Sequence, residues 1–193
     1  MFRILSTVLL SFGLINYSIS QSGANVYGGV AIGQSQDNFI SQSGQSHSGF
    51  LVGLDGRLVG DDMYFLAGVQ YATLSLVSEE SLSFFSSTNK MKMIKGRIGV
   101  GFNLIRFSES FAIRSKLLGS FNFINDFDNA RLPAPSTGYA SVNDGYLGAV
   151  TGLGVDLGIF TFDVEFEYGV MNVFYQKSQT KYNTLSLTGG IKF

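Results

Sequence analysis

One short stretch constrains this chain more than any other. From Phe160 to Val170 the residue types alternate without a break. Phe160, Phe162, Val164, Phe166, Tyr168 and Val170 fall on one side; Thr161, Asp163, Glu165, Glu167 and Gly169 fall on the other. Successive side chains of a strand point to opposite faces, so an extended chain here has one greasy face and one acidic face. A helix would scatter both sets around its circumference. Two surroundings suit such a strand. A soluble sheet buries the apolar face and turns its charges to water, whereas a membrane barrel turns apolar side chains to lipid and charges to its lumen.

The N-terminus and the composition favour the second. Arg3, the apolar run Ile4 to Ile15 and the small residues of Ser18-Ile19-Ser20 have the layout of a secretory signal peptide, expected over residues 1–20. The run is shorter than the roughly 20 apolar residues of a spanning helix. No later segment is long and apolar enough to span as one, so a membrane form must cross as strands. Residues 21–193 then form one domain. Charged residues are 14% of the chain, well under the roughly 25% of an ordinary soluble domain. A formal charge of −1 and the lack of a Lys/Arg-rich cluster speak against nucleic acid as a partner. With no Cys, disulfides, Cys-ligated zinc and thiol nucleophiles are excluded.

Residues 21–193 divide into eight alternating segments, the number found in the smallest membrane barrels. The first, Asn25 to Gly33, sets Val26, Val30 and Ile32 on one face. The second, Gly49 to Val59, sets Phe50, Val52, Leu54 and Leu58 against Gly53, Asp55 and Arg57. The third, Met63 to Val77, reads in either register; Phe65, Ala67, Val69 and Tyr71 are placed outward because that brings Gln70 inside. The fourth, Met91 to Ile105, sets Ile94, Ile98, Val100, Phe102 and Leu104 against Lys95, Arg97 and Asn103. The fifth, Phe111 to Ile124, turns Arg114, Lys116, Ser120 and Asn122 inward. The sixth, Tyr146 to Leu157, does the same with Asp156. The seventh runs from Phe160 to about Phe174, and the eighth from Tyr182 to Phe193, with Leu185, Leu187, Ile191 and Phe193 outward.

The connections alternate as well. Long polar stretches follow the first, third, fifth and seventh segments, including Ser41 to Ser48, Ser78 to Lys90 and Asn125 to Gly145. Short ones such as Gly60-Asp61-Asp62 follow the others. Bacterial outer-membrane barrels have this asymmetry, with short periplasmic turns and longer outer loops. Aromatics gather near both ends: Phe65, Phe107, Phe111, Phe160, Phe162 and Phe193 by the short turns, Phe121, Phe123, Phe174 and Tyr175 by the long connections. That layout suits two interfacial girdles, although Trp is absent.

The last third carries a resemblance. Gly152 to Leu157, Phe162 to Gly169 and Leu185 to Phe193 are similar to the outer-membrane β-barrel families common in Bacteroidetes, the porin-like or PorT-like barrels, and Gly49-Phe50 at the start of the second strand resembles them too. The alternating end with Leu185, Leu187, Ile191 and Phe193 looks like the signal that the barrel-assembly machinery reads. The resemblance implies an all-β, eight-stranded antiparallel up-and-down transmembrane barrel in the outer membrane. It implies no activity.

The inward charges sort by strand. Cations cluster on the fourth and fifth strands (Lys95, Arg97, Arg114, Lys116), acids on the sixth and seventh (Asp156, Asp163, Glu165, Glu167), with Asp55 and Arg57 on the second. In a small closed barrel the two sets face each other across the lumen, and pairing offsets the several kcal/mol that each isolated ion would cost. A structural ion-pair network filling the lumen is therefore expected, with no cofactor, metal or catalytic residue. A cation site at Asp163, Glu165 and Glu167 is disfavoured because alternate residues lie roughly 7 Å apart. Paired carboxylates for glycoside hydrolysis are disfavoured because a side-chain-filled lumen admits no sugar. Ser46-His47-Ser48, holding the sole His, suggests a loop position where a rim hydrolase acting on lipid could be imagined. The expected function is a structural or adhesive barrel offering its long loops to an extracellular partner, with outer-membrane lipid around it. The alternative is a narrow pore for small solutes. A soluble lipocalin-like barrel is disfavoured, because it would place apolar residues inside.

Overall fold

The computed structural model describes residues 23–35, 47–60, 62–75, 84–85, 90–108, 110–126, 143–174 and 180–193. Eight strands follow in chain order: β1 (Gly23–Ser35), β2 (His47–Val59), β3 (Met63–Ser75), β4 (Lys90–Ser108), β5 (Phe111–Asp126), β6 (Gly145–Leu157), β7 (Phe160–Gly169) and β8 (Tyr182–Lys192). Each pairs antiparallel with the next. β1 also pairs antiparallel with β8, from Asn25↔Lys192 to Ser35↔Tyr182, and this closes the sheet. Closure satisfies the backbone groups that an open edge would leave unpaired, a requirement for any sheet in hydrocarbon.

The two faces are inverted relative to a soluble barrel. Outward side chains are large and apolar, among them Val69 (58% exposed), Ile98 (59%), Leu153 (59%) and Phe162 (53%). The buried set holds Asp55, Arg57, Lys95, Arg97, Arg114, Lys116, Asp156, Asp163, Glu165 and Glu167. β7 alternates exposed and buried residues along its whole length. In β3, Phe65, Ala67 and Val69 are exposed and Gln70 is buried, which settles the ambiguous register. An apolar wall around a charged interior is the transmembrane form of the fold.

The strand ends joined across the short connections 60–62, 109–110 and 158–159 lie at one end of the barrel, and those flanking the long connections 36–46, 76–89, 127–144 and 170–181 at the other. At the short end Gly60 N–H donates to Met63 O (2.8 Å) and Gly158 N–H to Ser110 O (2.6 Å). Gly158 has φ +61°, a left-handed conformation that costs an L-residue roughly 1–2 kcal/mol.

Several expected boundaries move. β7 stops at Gly169 rather than near Phe174. Alternation breaks at Met171-Asn172, and the chain turns into the barrel mouth, where Val173 and Phe174 are fully buried. Phe174 is therefore not part of an outward girdle; Tyr175 lies outside the described residues. β2 begins at His47, because pairing with β1 continues through Ile32↔Ser48 and Gly33↔His47. Lys90 starts β4, Asn125 and Asp126 end β5, and β3 ends at Ser75. β4 continues to Ser108, through register shifts at Asn103/Ile105 and Arg106/Ser108. The shift leaves neighbouring Leu104 and Ile105 both exposed, as a bulge does. The signal peptide at 1–20 and the connection residues Ser41 to Ser46 and 127–142 lie outside the described residues.

Candidate functional site

The lumen is the only place in the described residues where many polar groups converge, and the alternation of each strand puts them there. From the short-turn end upward, Asp156 of β6 is met by three cations. Arg114 Nε donates to Oδ1 at 2.8 Å; Lys192 Nζ and Arg57 Nη1 reach Oδ2 at 3.1 and 3.4 Å. Arg114 also donates from Nη2 to Asp163 Oδ2 at 2.8 Å, and Lys116 Nζ lies 3.0 Å from Asp163 Oδ1. Lys116 bridges on to Glu165, which accepts from Arg97 Nη2 at 2.8 Å. One rung higher, Glu167 pairs with Lys95 Nζ at 2.5 Å and accepts from Ser120 Oγ (2.5 Å) and Asn122 Nδ2 (2.7 Å).

The result is a ladder in which cations of β4 and β5 reach across to acids of β6 and β7. Each of those four acids has at least one cation within ion-pair distance. Bidentate or bridging guanidinium contacts give such pairs their geometry. Asp55 stands apart. Among the described residues no Lys or Arg nitrogen lies within ion-pair distance of it, and its partner is the Tyr27 hydroxyl, donating at 3.4 Å. Tyr27 oxygen in turn accepts from Arg97 Nη1 at 2.7 Å, and the Arg97 guanidinium sits 5.7 Å from the Tyr27 ring centroid. Arg57 stands in the same relation to Tyr64, at 5.8 Å. Such cation–π contacts suit a guanidinium with little water around it.

The ladder leaves no room for bulk. A Cβ on Gly154 would overlap Asp163 Oδ1 and lie 2.9 Å from Arg114 Cζ. Above Arg97 and Glu165 lies a cavity of about 20 Å³, bordered by Gln70, Lys95, Glu167 and Thr184 and roofed by Leu51, Leu74 and Met93. That roof belongs to an apolar cluster with Met91, Tyr146, Val173, Phe174 and Tyr182, which fills the long-connection mouth. A polar ladder below and an apolar cap above thus divide the lumen.

His47 lies in β2 and is buried, not on a solvated loop. Its Nδ1 is 2.7 Å from Ser75 O and touches the Tyr182 hydroxyl, which itself donates to Ser75 O at 2.6 Å. The contact ties β2, β3 and β8 together beneath the mouth. Ser48 is buried too, with its carbonyl accepting from Ser75 Oγ at 3.2 Å. Among the described residues no group of three His, Cys, Asp or Glu side chains is arranged to hold a metal ion. Asp163, Glu165 and Glu167 each face a cation from another strand instead.

Sequence reasoning missed Tyr27 and the Val173–Phe174 cap. Tyr27 carries a signal in retrospect: it shares the inward parity of Asn25 and Ala31. Phe174 carried a misleading one, since it continues the even-numbered apolar series of β7.

The architecture defines the class: an eight-stranded transmembrane β-barrel with a side-chain-filled lumen. No protein-family model matches the chain, and no curated protein sequence does. Solved structures do. Neisserial surface protein A aligns with a TM-score of 0.57 at 13% identity, over 90% of this chain and 98% of that one. The outer membrane protein OprG from Pseudomonas aeruginosa aligns with a TM-score of 0.46 at 16% identity, over 89% and 96%. Ail, the attachment invasion locus protein of Yersinia pestis, solved with the heparin analogue sucrose octasulfate, aligns with a TM-score of 0.44 at 14% identity, over 89% and 99%. At 13% identity the likeness to Neisserial surface protein A is one of fold.

Proposed function

We propose that this chain is a small bacterial outer-membrane barrel, closed to bulk solute flow, that acts through the connections at its long-connection mouth as a structural or adhesive, partner-binding protein. The observation that carries this reading is the filled lumen. Among the described residues, interlocked ion pairs and an apolar cap fill the lumen around a cavity of about 20 Å³, which argues against bulk conduction. Work then falls to the four long connections, whose flanking strand ends all lie at one mouth because up-and-down topology puts every second connection there.

Delivery follows from the signal peptide proposed for residues 1–20, cleaved before insertion. The alternation of β8 with Leu185, Leu187, Ile191 and Phe193 exposed supports recognition of that strand by the barrel-assembly machinery. The same stretch is the basis for placing the chain with the porin-like or PorT-like barrels of Bacteroidetes. We assign it no catalytic role: His47, the one candidate base, is enclosed by Tyr182 and Ser75.

The test has two arms. Refolded protein in planar bilayers should show no discrete conductance steps; reproducible steps would replace this reading with a narrow pore. Cells carrying the barrel with residues 36–46, 76–89 and 127–142 each cut to a tight turn should lose self-aggregation and retention on immobilised extracellular-matrix proteins. Unchanged retention, with the barrel present in the outer membrane, would overturn the adhesive assignment.

A further inference from the structure

We propose that Val173 and Phe174 are a built-in plug, and that they, rather than the ion ladder, keep bulk solvent out of a polar chamber midway along the lumen. This concerns the interior and is independent of which molecule the outer connections bind.

The segment leaves β7 at Gly169 and turns inward. Val173 and Phe174 have no exposed surface. They pack in one cluster with Leu51, Leu74, Met91, Met93, Tyr146 and Tyr182. The segment is fastened from two sides. Asn143, just ahead of β6, donates from its backbone N–H to Val173 O and from Nδ2 to Asn172 O, both at 2.8 Å. Thr180, just ahead of β8, accepts at its carbonyl from Val173 N–H (3.2 Å) and at its hydroxyl from Phe174 N–H (3.3 Å), while its own N–H donates to Asn172 Oδ1 (3.2 Å). A stretch that only had to connect two strands would need none of these ties. They hold two apolar side chains in the mouth, in one cluster with Leu51, Leu74 and Met93, which roof the cavity below.

Beneath the plug the chamber has unfinished chemistry. Gln70 Nε2, Arg97 Nε and Thr184 Oγ1 are buried polar atoms without a hydrogen-bond partner, and all three residues border the cavity. Buried polar groups are normally satisfied by protein or by ordered water. A cavity of about 20 Å³ exceeds the roughly 10–15 Å³ that one water needs. The chamber therefore takes a small hydrogen-bonding molecule of water size, and the plug decides whether it exchanges with the outside. The ladder closes the other end with charged side chains, which water can solvate. The plug is apolar, so water crossing it finds no partner.

The chain has no Cys, so a single engineered thiol reports access. Thr184→Cys puts one in the chamber and Gly60→Cys puts one on the exposed short turn. Refolded protein in detergent is exposed to silver ion, a thiol-reactive cation of near-water size, and the remaining free thiol is counted after unfolding. Folding of every variant is checked by the mobility difference between unheated and heated samples. The chamber thiol is expected to react at least a hundredfold more slowly than the turn thiol. Adding Val173→Ala and Phe174→Ala should speed it at least tenfold, whereas adding Arg57→Ala at the opposite mouth should leave it protected. The proposal is overturned if the chamber thiol reacts as fast as the turn thiol, if it stays protected in the folded double-alanine background, or if Arg57→Ala exposes it as much as loss of the plug does.

Discussion

At the scale of single residues the lumen is a set of charges that depend on one another. Arg97 and Glu165 meet at 2.8 Å, and both are nearly without solvent contact. Removing one member of a fully dry pair typically costs about 3–5 kcal/mol, because the other is left buried and unpaired; beside the water-sized chamber a smaller loss is expected. Arg97→Ala and Glu165→Ala should each lower the urea midpoint of the refolded barrel, and the double variant should lose less than the sum, with a coupling of about 0.5–3 kcal/mol. Simple additivity in that cycle would mean that the pair does not couple. Gly154→Ala probes the same network sterically. Its new methyl group would strike Asp163 and Arg114, so a loss of about 1–3 kcal/mol is expected, whereas Gly119→Ala, whose Cβ meets only Ile98 O at 3.9 Å, should be nearly silent. Equal midpoints for the two would remove the crowding argument. The identity of the lumen residues was legible in the sequence, because strand alternation alone assigns a face. Their pairing was not. Which cation meets which acid depends on register and closure, and nothing local to Asp55 foretells that its partner is Tyr27 rather than an arginine.

At the scale of elements, strand existence was readable and strand ends were not. An alternating pattern says that a segment is extended, but pairing decides how far the ladder runs. His47 looked like loop chemistry because Ser surrounds it, yet its backbone continues the β1–β2 register. Phe174 looked like a wall residue because of its parity, yet the chain had already left the wall. The short turns are simpler. No atom lies within 4 Å of a Cβ built on Gly158, so a substitution there meets only the backbone penalty of positive φ. Gly158→Ala should therefore cost roughly 1–2 kcal/mol and Gly158→Asn less, since Asn visits that region more readily. Identical midpoints for the alanine and asparagine variants would show that the turn relaxes to another conformation.

At the scale of the whole molecule, the apolar wall predicts that the protein sediments with outer membranes and migrates faster unheated than heated in detergent gels. Recovery from the periplasm without detergent would end the membrane reading. The alternation of connections predicts an orientation as well. Protease added to intact cells should cut within residues 36–46, 76–89 or 127–142, and labelling of Gly60 or Asp62 from outside would reverse it. The ladder has one more consequence, and it concerns assembly in time. In chain order the first five strands bury Arg57, Lys90, Lys95, Arg97, Arg114 and Lys116 against Asp55 alone, and the acids that complete the ladder arrive only with β6 and β7. A partly inserted sheet ending at β5 would carry a surplus of five positive charges among those buried side chains, before the acids of the ladder have joined it. Charge balance within the lumen therefore arrives late, with β6 and β7. A chain cut after β5 is therefore expected not to insert stably, and a protease-protected five-strand fragment in membranes would overturn that expectation.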